Sequence, residues 1–152
     1  MSCIFCDIVQ GVSPSHVIWE DDRHMSFLSI FPNTPGFTVV IPKIHHDSYA
    51  FKQSDSTLCE LIVAAKKTAL LIDKSLPDVA RTGLILEGYG VDHLHAKLFP
   101  MHGTGQDSTF KKISSRVDKF YEVYEGYISS HDSNRADDGE LAELAAHIRS
   151  FK

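Results

Sequence analysis

The sequence has no cluster of lysines and arginines, and its formal net charge is −5. Binding to a nucleic-acid backbone draws on clustered cations, so we expect no nucleic-acid partner. Long apolar runs are also missing, because the longest candidate, LCELIVAAKKTALLI, is interrupted by Glu60, Lys66 and Lys67 and cannot span a bilayer. The N-terminus, MSCIFCDIVQG, lacks the basic start and long apolar stretch of a signal peptide. We therefore expect a cytoplasmic protein without a membrane partner.

Cysteine is scarce, with three residues in a chain of 152. In a reducing compartment, three cysteines favour metal binding, catalysis or simple packing over a disulfide framework. Cys59 falls within a predicted helix, where we interpret it as a packed thiol. Cys3 and Cys6 form a C-x-x-C pair and carry the candidate chemistry.

What remains is typical of a globular protein, with 43% hydrophobic and 23% charged residues. A chain of this length fits one domain that buries a core. We predict a domain at residues 1–105. No linker is long enough to separate the rest, so we expect residues 106–152 to form a C-terminal extension packed on the same domain.

The hydrophobic pattern predicts an α+β fold: an antiparallel sheet of about five strands, one long helix packed against it, and a C-terminal helical extension. The strands are expected in SHVIWED, HMSFLSI, FTVVIPK, RTGLILEG and HLHAKLFPM, the last two as a hairpin. A short helix precedes Gly11, and a closing helix is expected in ADDGELAELAAHIRSF. The segment TFKKISSRVDKFYEVYEGYISS is expected to be irregular or partly helical. The long helix runs from Ser56 to about Ser75, with an apolar stripe of Leu58, Leu61, Ile62, Ala65, Ala69 and Ile72.

The stretch VDHLHAKLFPMHG alternates polar and apolar residues. Successive side chains of a strand point to opposite faces, so His93, His95 and Lys97 share one face, and the apolar residues between them fill the other. From the spacing alone, this pattern also fits an edge strand with an ordinary polar solvent face.

A second group of candidate residues combines the C-x-x-C pair with IPKIHH, which places His45 and His46 just after a strand. Two thiolates and two imidazoles make a sound tetrahedral zinc set. A C-x-x-C pair also occurs in redox sites, although thioredoxin-like context is absent, and two small apolar residues packing a helix would look the same. The sequence leaves the choice between His45 and His46 open.

Taken together, IFCDIVQGVSPSHVIWEDDRHMSFLSIFPNTPGFTVVIPKIH, a long helix and HLHAKLFP resemble the histidine-triad family of nucleotide hydrolases and transferases. The resemblance covers roughly residues 3–102. It implies that His95 is the nucleophile that attacks the α-phosphorus of a nucleotide and forms a covalent nucleotidyl-histidine. It also implies a homodimer and a structural zinc ion held by Cys3, Cys6, His45 and His93.

Lys97 stands where the family motif has its third histidine. An ammonium stabilises phosphate charge as a point cation, but an ordinary lysine is a poor proton shuttle at neutral pH. The galactose-1-phosphate uridylyltransferase branch of the superfamily has glutamine here, so a residue other than histidine does not by itself abolish nucleotidyl transfer. Alternatively, Lys97 faces solvent in a protein that only binds nucleotides.

The resemblance also implies a binding pocket. Ser29 stands where the family often has Asp or Asn for the ribose hydroxyls, and Gly88 and Gly90 precede the motif in a short loop whose backbone amides could approach a phosphate. Apolar positions that flank the base in the family are matched by Phe5, Ile8, Phe27 and Ile30, each of which also fits a plain core. We expect Phe27, Ser29, Gly90 and Lys97 to bind substrate.

These residues predict a nucleotide phosphohydrolase in which His95 and Lys97 are catalytic. The alternatives are a nucleotidyltransferase of the same superfamily and a non-catalytic nucleotide-binding module. The remaining histidines have no supporting pattern and are expected at the surface: His16, His24, His102, His131 and His147.

Overall fold

The computed structural model describes residues 3–105 and 134–152. In chain order, the helices and strands are α1 (Ile4–Val9), β1 (His16–Glu20), β2 (His24–Leu28), β3 (Thr38–Pro42), a 3-10 turn (Ala50–Lys52), α2 (Asp55–Ser75), β4 (Val79–Ile85), β5 (Ala96–His102) and α3 (Asp138–Arg149). The segment predicted to be irregular or partly helical lies outside the described residues. Within the described ranges, no helix is long and apolar enough to cross a membrane.

The five strands form one sheet in the order β1-β2-β3-β5-β4, and every neighbouring pair is antiparallel. The predicted α+β class, with an antiparallel sheet of about five strands and one long helix, is confirmed. The predicted hairpin is also present, because β4 and β5 pair directly. Its connection is the ten-residue segment 86–95, which is longer than the expected turn.

The helix α2 covers one face of the sheet. It begins at the Ser54 cap, whose hydroxyl accepts a hydrogen bond from the Thr57 backbone N–H. Its buried side follows helical spacing along Leu61, Ala64, Ala65, Thr68, Leu71 and Ile72. Ile62, which we placed on the apolar stripe, is exposed instead, because it lies about 100° around the helix from Leu61.

The last strand begins later than predicted, at Ala96 rather than His93. Its ladder with β3 pairs Val40 with Ala96, and the next step along that register reaches Pro42 opposite Leu94. Proline has no N–H to donate, so it cannot extend the ladder. The Leu94 N–H donates to the His46 carbonyl instead. Residues 93–95 therefore belong to a loop.

The C-terminal helix α3 packs against β1, β2 and α2. It begins at Asp137, whose carboxylate accepts a hydrogen bond from the Glu140 backbone N–H. Leu141, Ala145 and Ile148 join the same buried cluster as Ile18, Leu61, Leu94 and other residues of the sheet and α2. Residues 138–149 therefore complete the core.

Replacing Ile148 by alanine is expected to lower the free energy of unfolding by about 2–5 kcal/mol, because Ile148 has no exposed surface and its removal leaves a cavity under α3. Urea denaturation monitored by circular dichroism measures the change. The exposed Glu143 of the same helix is the control, since Glu143→Ala should change the value by less than about 0.5 kcal/mol. Equal effects of the two substitutions would show that α3 does not belong to the core.

Candidate active site and metal centre

Four metal-ligating side chains meet at one end of the sheet. Cys3 caps α1 and Cys6 lies in its first turn, so the two thiols face the same side of the helix. His45 comes from the loop after β3, and His93 from the loop before β5. One ligand atom from each of the four lies within 4.8 Å of the others. His46, the alternative to His45, is not part of this group.

The distances within this cluster fit a tetrahedral zinc ion. The Sγ of Cys3 lies 3.5 Å from Nδ1 of His93, and the Sγ of Cys6 lies 3.4 Å from Nδ1 of His45 and 3.6 Å from Nδ1 of His93. Zinc bonds of ordinary length at tetrahedral angles would separate a sulfur from a nitrogen by about 3.6 Å. The four residues therefore have both the chemistry and the spacing that zinc requires.

The protonation state of His93 also suits a ligand. Its Nε2 donates to the Pro42 carbonyl at 2.8 Å, which leaves the lone pair of the neutral ring on Nδ1, the atom that faces the thiols. Burial lowers the pKa of His93, and the neighbouring imidazole of His45 lowers it further. The ring is therefore neutral at pH 7, which is the form that binds a metal.

The ring of His95 is buried, with 3% of its surface exposed. Its Nδ1 lies 2.6 Å from the carbonyl oxygen of His93. A carbonyl oxygen only accepts, so Nδ1 carries the proton, and Nε2 of the neutral ring keeps a lone pair. Burial lowers the pKa of His95, and the Lys97 charge lowers it further, against opposing backbone hydrogen bonds and Glu87. The structure thus holds His95 in a neutral, singly defined tautomer.

The predicted alternation of polar and apolar side chains from His93 to Leu98 is present in the structure. Leu94, Ala96 and Leu98 enter the core beneath α2. His93 and His95 lie on the opposite side, each in edge contact with the ring of Phe5 in α1. Residues 93–95 keep this alternation although they are outside the strand.

Lys97 does not face open solvent. Its ammonium forms an ion pair with the carboxylate of Glu87, and the two side chains are 14% and 4% exposed. Glu87 was not among the residues identified from the sequence. The register of the β4–β5 hairpin could have identified Glu87. Ile85 pairs with Lys97, and Glu87 follows two residues later, just beyond the end of β4.

A cavity of about 610 Å³ lies in front of His95 and Lys97. All four residues predicted to bind substrate line it: Phe27, Ser29, Gly90 and Lys97. So do the other apolar candidates, Phe5, Ile8 and Ile30. Gly88 is not in the lining, and a side chain there would meet the Ser48 carbonyl, which explains the glycine by packing.

Three further polar residues line the cavity and were not assigned to it from the sequence. Asp138 accepts from His16 at 3.0 Å and from Arg135 at 2.8 Å, and all three belong to the lining. The hydrogen bond to Arg135 lowers the pKa of Asp138, and the one to His16 adds to this effect. Because His16 and Asp138 are 122 residues apart, no local pattern could reveal their contact.

The surface placement of the other histidines is wrong for His24, which is 5% exposed. Its backbone N–H donates to Asp21, which folds the β1–β2 turn over it. His16 is half-buried by its bond to Asp138. His102 and His147 are exposed as expected, and His131 lies outside the described residues.

Known proteins resemble this chain over most of its length. The HIT domain matches residues 10–104. An uncharacterized HIT-like protein of Methanocaldococcus jannaschii is 32% identical over 117 residues, which cover 74% of this chain and 90% of that protein. An adenosine 5'-monophosphoramidase of Schizosaccharomyces pombe is 32% identical over 100 residues, covering 66% of this chain and 74% of that enzyme.

A solved structure has a similar fold. The crystal structure of a zinc-bound histidine triad family protein from Mycobacterium smegmatis superposes with a TM-score of 0.70 at 23% identity, covering 99% of this chain and 93% of that one. Because the HIT domain matches more than half of its residues, the chain belongs to the HIT-domain, or histidine triad, family.

Proposed function

We propose that this protein is a nucleotide hydrolase that attacks the α-phosphorus of its substrate through His95. The observation that carries the proposal is the state of that ring: it lines the cavity, its Nδ1 proton is held by the His93 carbonyl, and its lone pair is on Nε2. An imidazole in this form is a competent nucleophile at pH 7. The S. pombe relative, named as an adenosine 5'-monophosphoramidase, supports the same class of reaction.

In the first step, the Nε2 lone pair of His95 forms a bond to the α-phosphorus, and the bond from phosphorus to the leaving group breaks. The His93 carbonyl stabilises the imidazolium that results, because it already accepts the Nδ1 proton. In the second step, water attacks phosphorus, the electron pair of the P–N bond returns to Nε2, and the proton released from the water passes to solvent. Two moderate barriers thus replace one high barrier.

The cavity residues supply the remaining functions. Lys97 places a cation beside the nucleophile, where it stabilises the charge of the phosphate oxygens. Phe27, with Phe5 and Ile8, offers an apolar wall for the base, and Ser29 offers a hydroxyl to the ribose. The backbone at Gly90 has φ of 91°, and a side chain would meet nothing within 4 Å there, so the loop lies open to a phosphate.

The metal in this proposal is structural. A zinc ion held by Cys3, Cys6, His45 and His93 would tie α1 to the loops before and after the sheet strands that carry the site. His93 is both a proposed ligand and the residue whose carbonyl orients His95. The ring of His93 therefore belongs to the metal cluster, and its backbone carbonyl orients the proposed nucleophile.

Mass spectrometry of the intact protein tests the proposal. Brief exposure to a nucleoside phosphoramidate or a dinucleoside polyphosphate, followed by acid-free quenching, is expected to add one nucleotidyl group to the chain at His95. Water then releases a nucleoside monophosphate. Release to an added phosphorylated acceptor, and not to water, would make the protein a nucleotidyltransferase. Reversible nucleotide binding without an adduct would make it a binding module and overturn the proposal.

A further inference from the structure

The wall of the cavity away from His95 carries a connected set of polar side chains. Asp138 accepts a hydrogen bond from Nε2 of His16 at 3.0 Å and one from the Arg135 guanidinium at 2.8 Å. A carboxylate oxygen only accepts, so Nε2 of His16 carries a proton. All three residues line the cavity. The chemistry proposed at His95 uses none of them, which indicates a role in recognising the substrate.

The position of this cluster is fixed by contacts with the strands. The Ala136 N–H donates to the Ile30 carbonyl at 2.9 Å, which anchors the chain beside Arg135 to the segment that follows β2. His16 is the first residue of β1, and it is half-buried. The side chains of Arg135 and Asp138 are 51% and 61% exposed, so both can reach a ligand in the cavity.

The distance between the cluster and the phosphate end of the cavity suits a nucleotide. A row of cross-strand partners crosses the sheet from β5 to β1: Lys97, Val39, Phe27 and Val17. Three strand spacings separate the ends of this row, or about 14 Å, and His16 directly precedes Val17. A nucleotide with its phosphorus at the nucleophile extends its base over a span of this order.

Between its two ends the cavity is apolar. Phe5 and Ile8 of α1 and Phe27 of β2 line it, and the rings of Phe5 and Phe27 lie 5.5 Å apart. Walls of this kind cover the faces of a planar base and leave recognition to polar groups at its edge. With the base in this position, its edge points toward Asp138 and Arg135.

The donors and acceptors of the cluster favour one base. The hydrogen bond from Arg135 lowers the pKa of Asp138, and the one from His16 adds to this effect, so Asp138 is a carboxylate at neutral pH. Each of its oxygens already accepts one hydrogen bond and has the capacity for a second. Guanine presents two adjacent donors, N1–H and the 2-amino group, beside the O6 acceptor. Adenine presents one donor, the 6-amino group, beside the N1 acceptor. A carboxylate thus pairs with guanine through both oxygens and with adenine through one.

We propose that Asp138 and Arg135 recognise the base and make this site selective for guanine nucleotides. The Asp138 carboxylate accepts from N1–H and from the 2-amino group, and the Arg135 guanidinium donates to O6. His16 is a positioning residue, because its Nε2–H holds the carboxylate in place. This inference rests on the proposed function, since it identifies the base of the nucleotide that His95 attacks.

Isothermal titration calorimetry of the wild-type protein with GMP, IMP and AMP tests the inference without requiring turnover. IMP keeps N1–H and O6 of guanine but lacks the 2-amino group. GMP is expected to bind about tenfold or more tightly than AMP, with IMP in between, as one bidentate contact would give. Equal affinities overturn the inference. So does a preference for AMP, which contains the base in the name of the S. pombe relative.

The variant Asp138→Asn separates recognition from packing. It keeps the size of the side chain and replaces one of its two acceptors by a donor. The affinity for GMP should fall about tenfold, whereas that for AMP should stay near the wild-type value. Glu143→Gln is the matched control, since it makes the same charge change at an exposed position of α3 outside the cavity lining. A retained GMP preference in Asp138→Asn, or an equal loss for both nucleotides, overturns the inference.

The fate of the proposed function is read separately, from the adduct on His95. If guanosine and adenosine donors form that adduct at equal rates, the proposed function stands and the base selectivity is wrong. If GMP binds selectively but no donor forms an adduct, base recognition stands and the hydrolase proposal fails. If none of the three monophosphates binds and no adduct forms, both proposals fail.

Discussion

Replacing His95 by alanine is expected to reduce kcat/KM for nucleotide hydrolysis by about 10⁴-fold or more, because no other described residue of the cavity lining places an imidazole at that position. The nucleotidyl adduct should disappear with the activity. Steady-state kinetics and intact-protein mass spectrometry measure the two effects on the same preparation.

The fold and the metal cluster should survive this change. His95 contributes no ligand atom to the cluster, and its partner atom on His93 is a backbone carbonyl. Zinc content and thermal unfolding are therefore expected to stay near wild-type values. His147→Gln is the matched control, since His147 is an exposed histidine of α3 whose loss should leave turnover intact. Turnover by His95→Ala at the wild-type rate would remove His95 from the mechanism.

The second large effect concerns the metal. Untagged protein is expected to contain about one zinc ion per chain, and the double variant Cys3→Ser/Cys6→Ser is expected to contain none, because two of the four ligands are lost. A metal that binds only the folded state stabilises it by about 4 kcal/mol when its free concentration is about 1,000-fold above Kd. For a domain of this size, that corresponds to a Tm lower by about 8–16 °C in the variant.

Metal analysis and differential scanning calorimetry measure this loss, and EDTA treatment of the wild-type protein should reproduce it. Cys59→Ser is the control: our interpretation of Cys59 as a packed thiol was wrong, because it is exposed on α2 and lies outside the cluster. Its variant should therefore retain both zinc and Tm. Turnover in Cys3→Ser/Cys6→Ser should also fall, since the metal cluster includes the residue that orients His95. Full zinc content in that variant would contradict the assignment of the ligands.

Much of the fold could be read from neighbouring residues alone. Helical spacing identified α2 to within one residue at its start, and the alternation from His93 to Leu98 placed two imidazoles opposite an apolar series. Both signals are local, because the side-chain period of a helix or an extended chain is set by backbone geometry. The C-x-x-C pair could be identified as a pair of candidate ligands for the same reason, because residues three apart on a helical turn lie on the same face.

The limits of local patterns lie where partners come from distant segments. The hydrogen-bond ladder between β3 and β5 ends at Pro42, which is more than fifty residues from β5 in the sequence. The burial of His24 depends on how the β1–β2 turn folds over it. The ion pair of Lys97 with Glu87 follows from the hairpin register and from the burial of both side chains. Asp138 reaches the cavity through α3 packing on β1.

One physical cause separates the features that local patterns predicted from those that only the tertiary structure decided. A periodic pattern specifies the direction of a side chain relative to its own backbone, and the choice of chemistry at His95 follows from that direction. Its surroundings depend on strand register and helix packing, which are set by the summed burial of the whole core and not by any short stretch of sequence. The sequence by itself therefore pointed to His95 as the proposed nucleophile, whereas the ion pair beside it and the placement of Arg135 and Asp138 in the cavity wall were decided only by the tertiary structure.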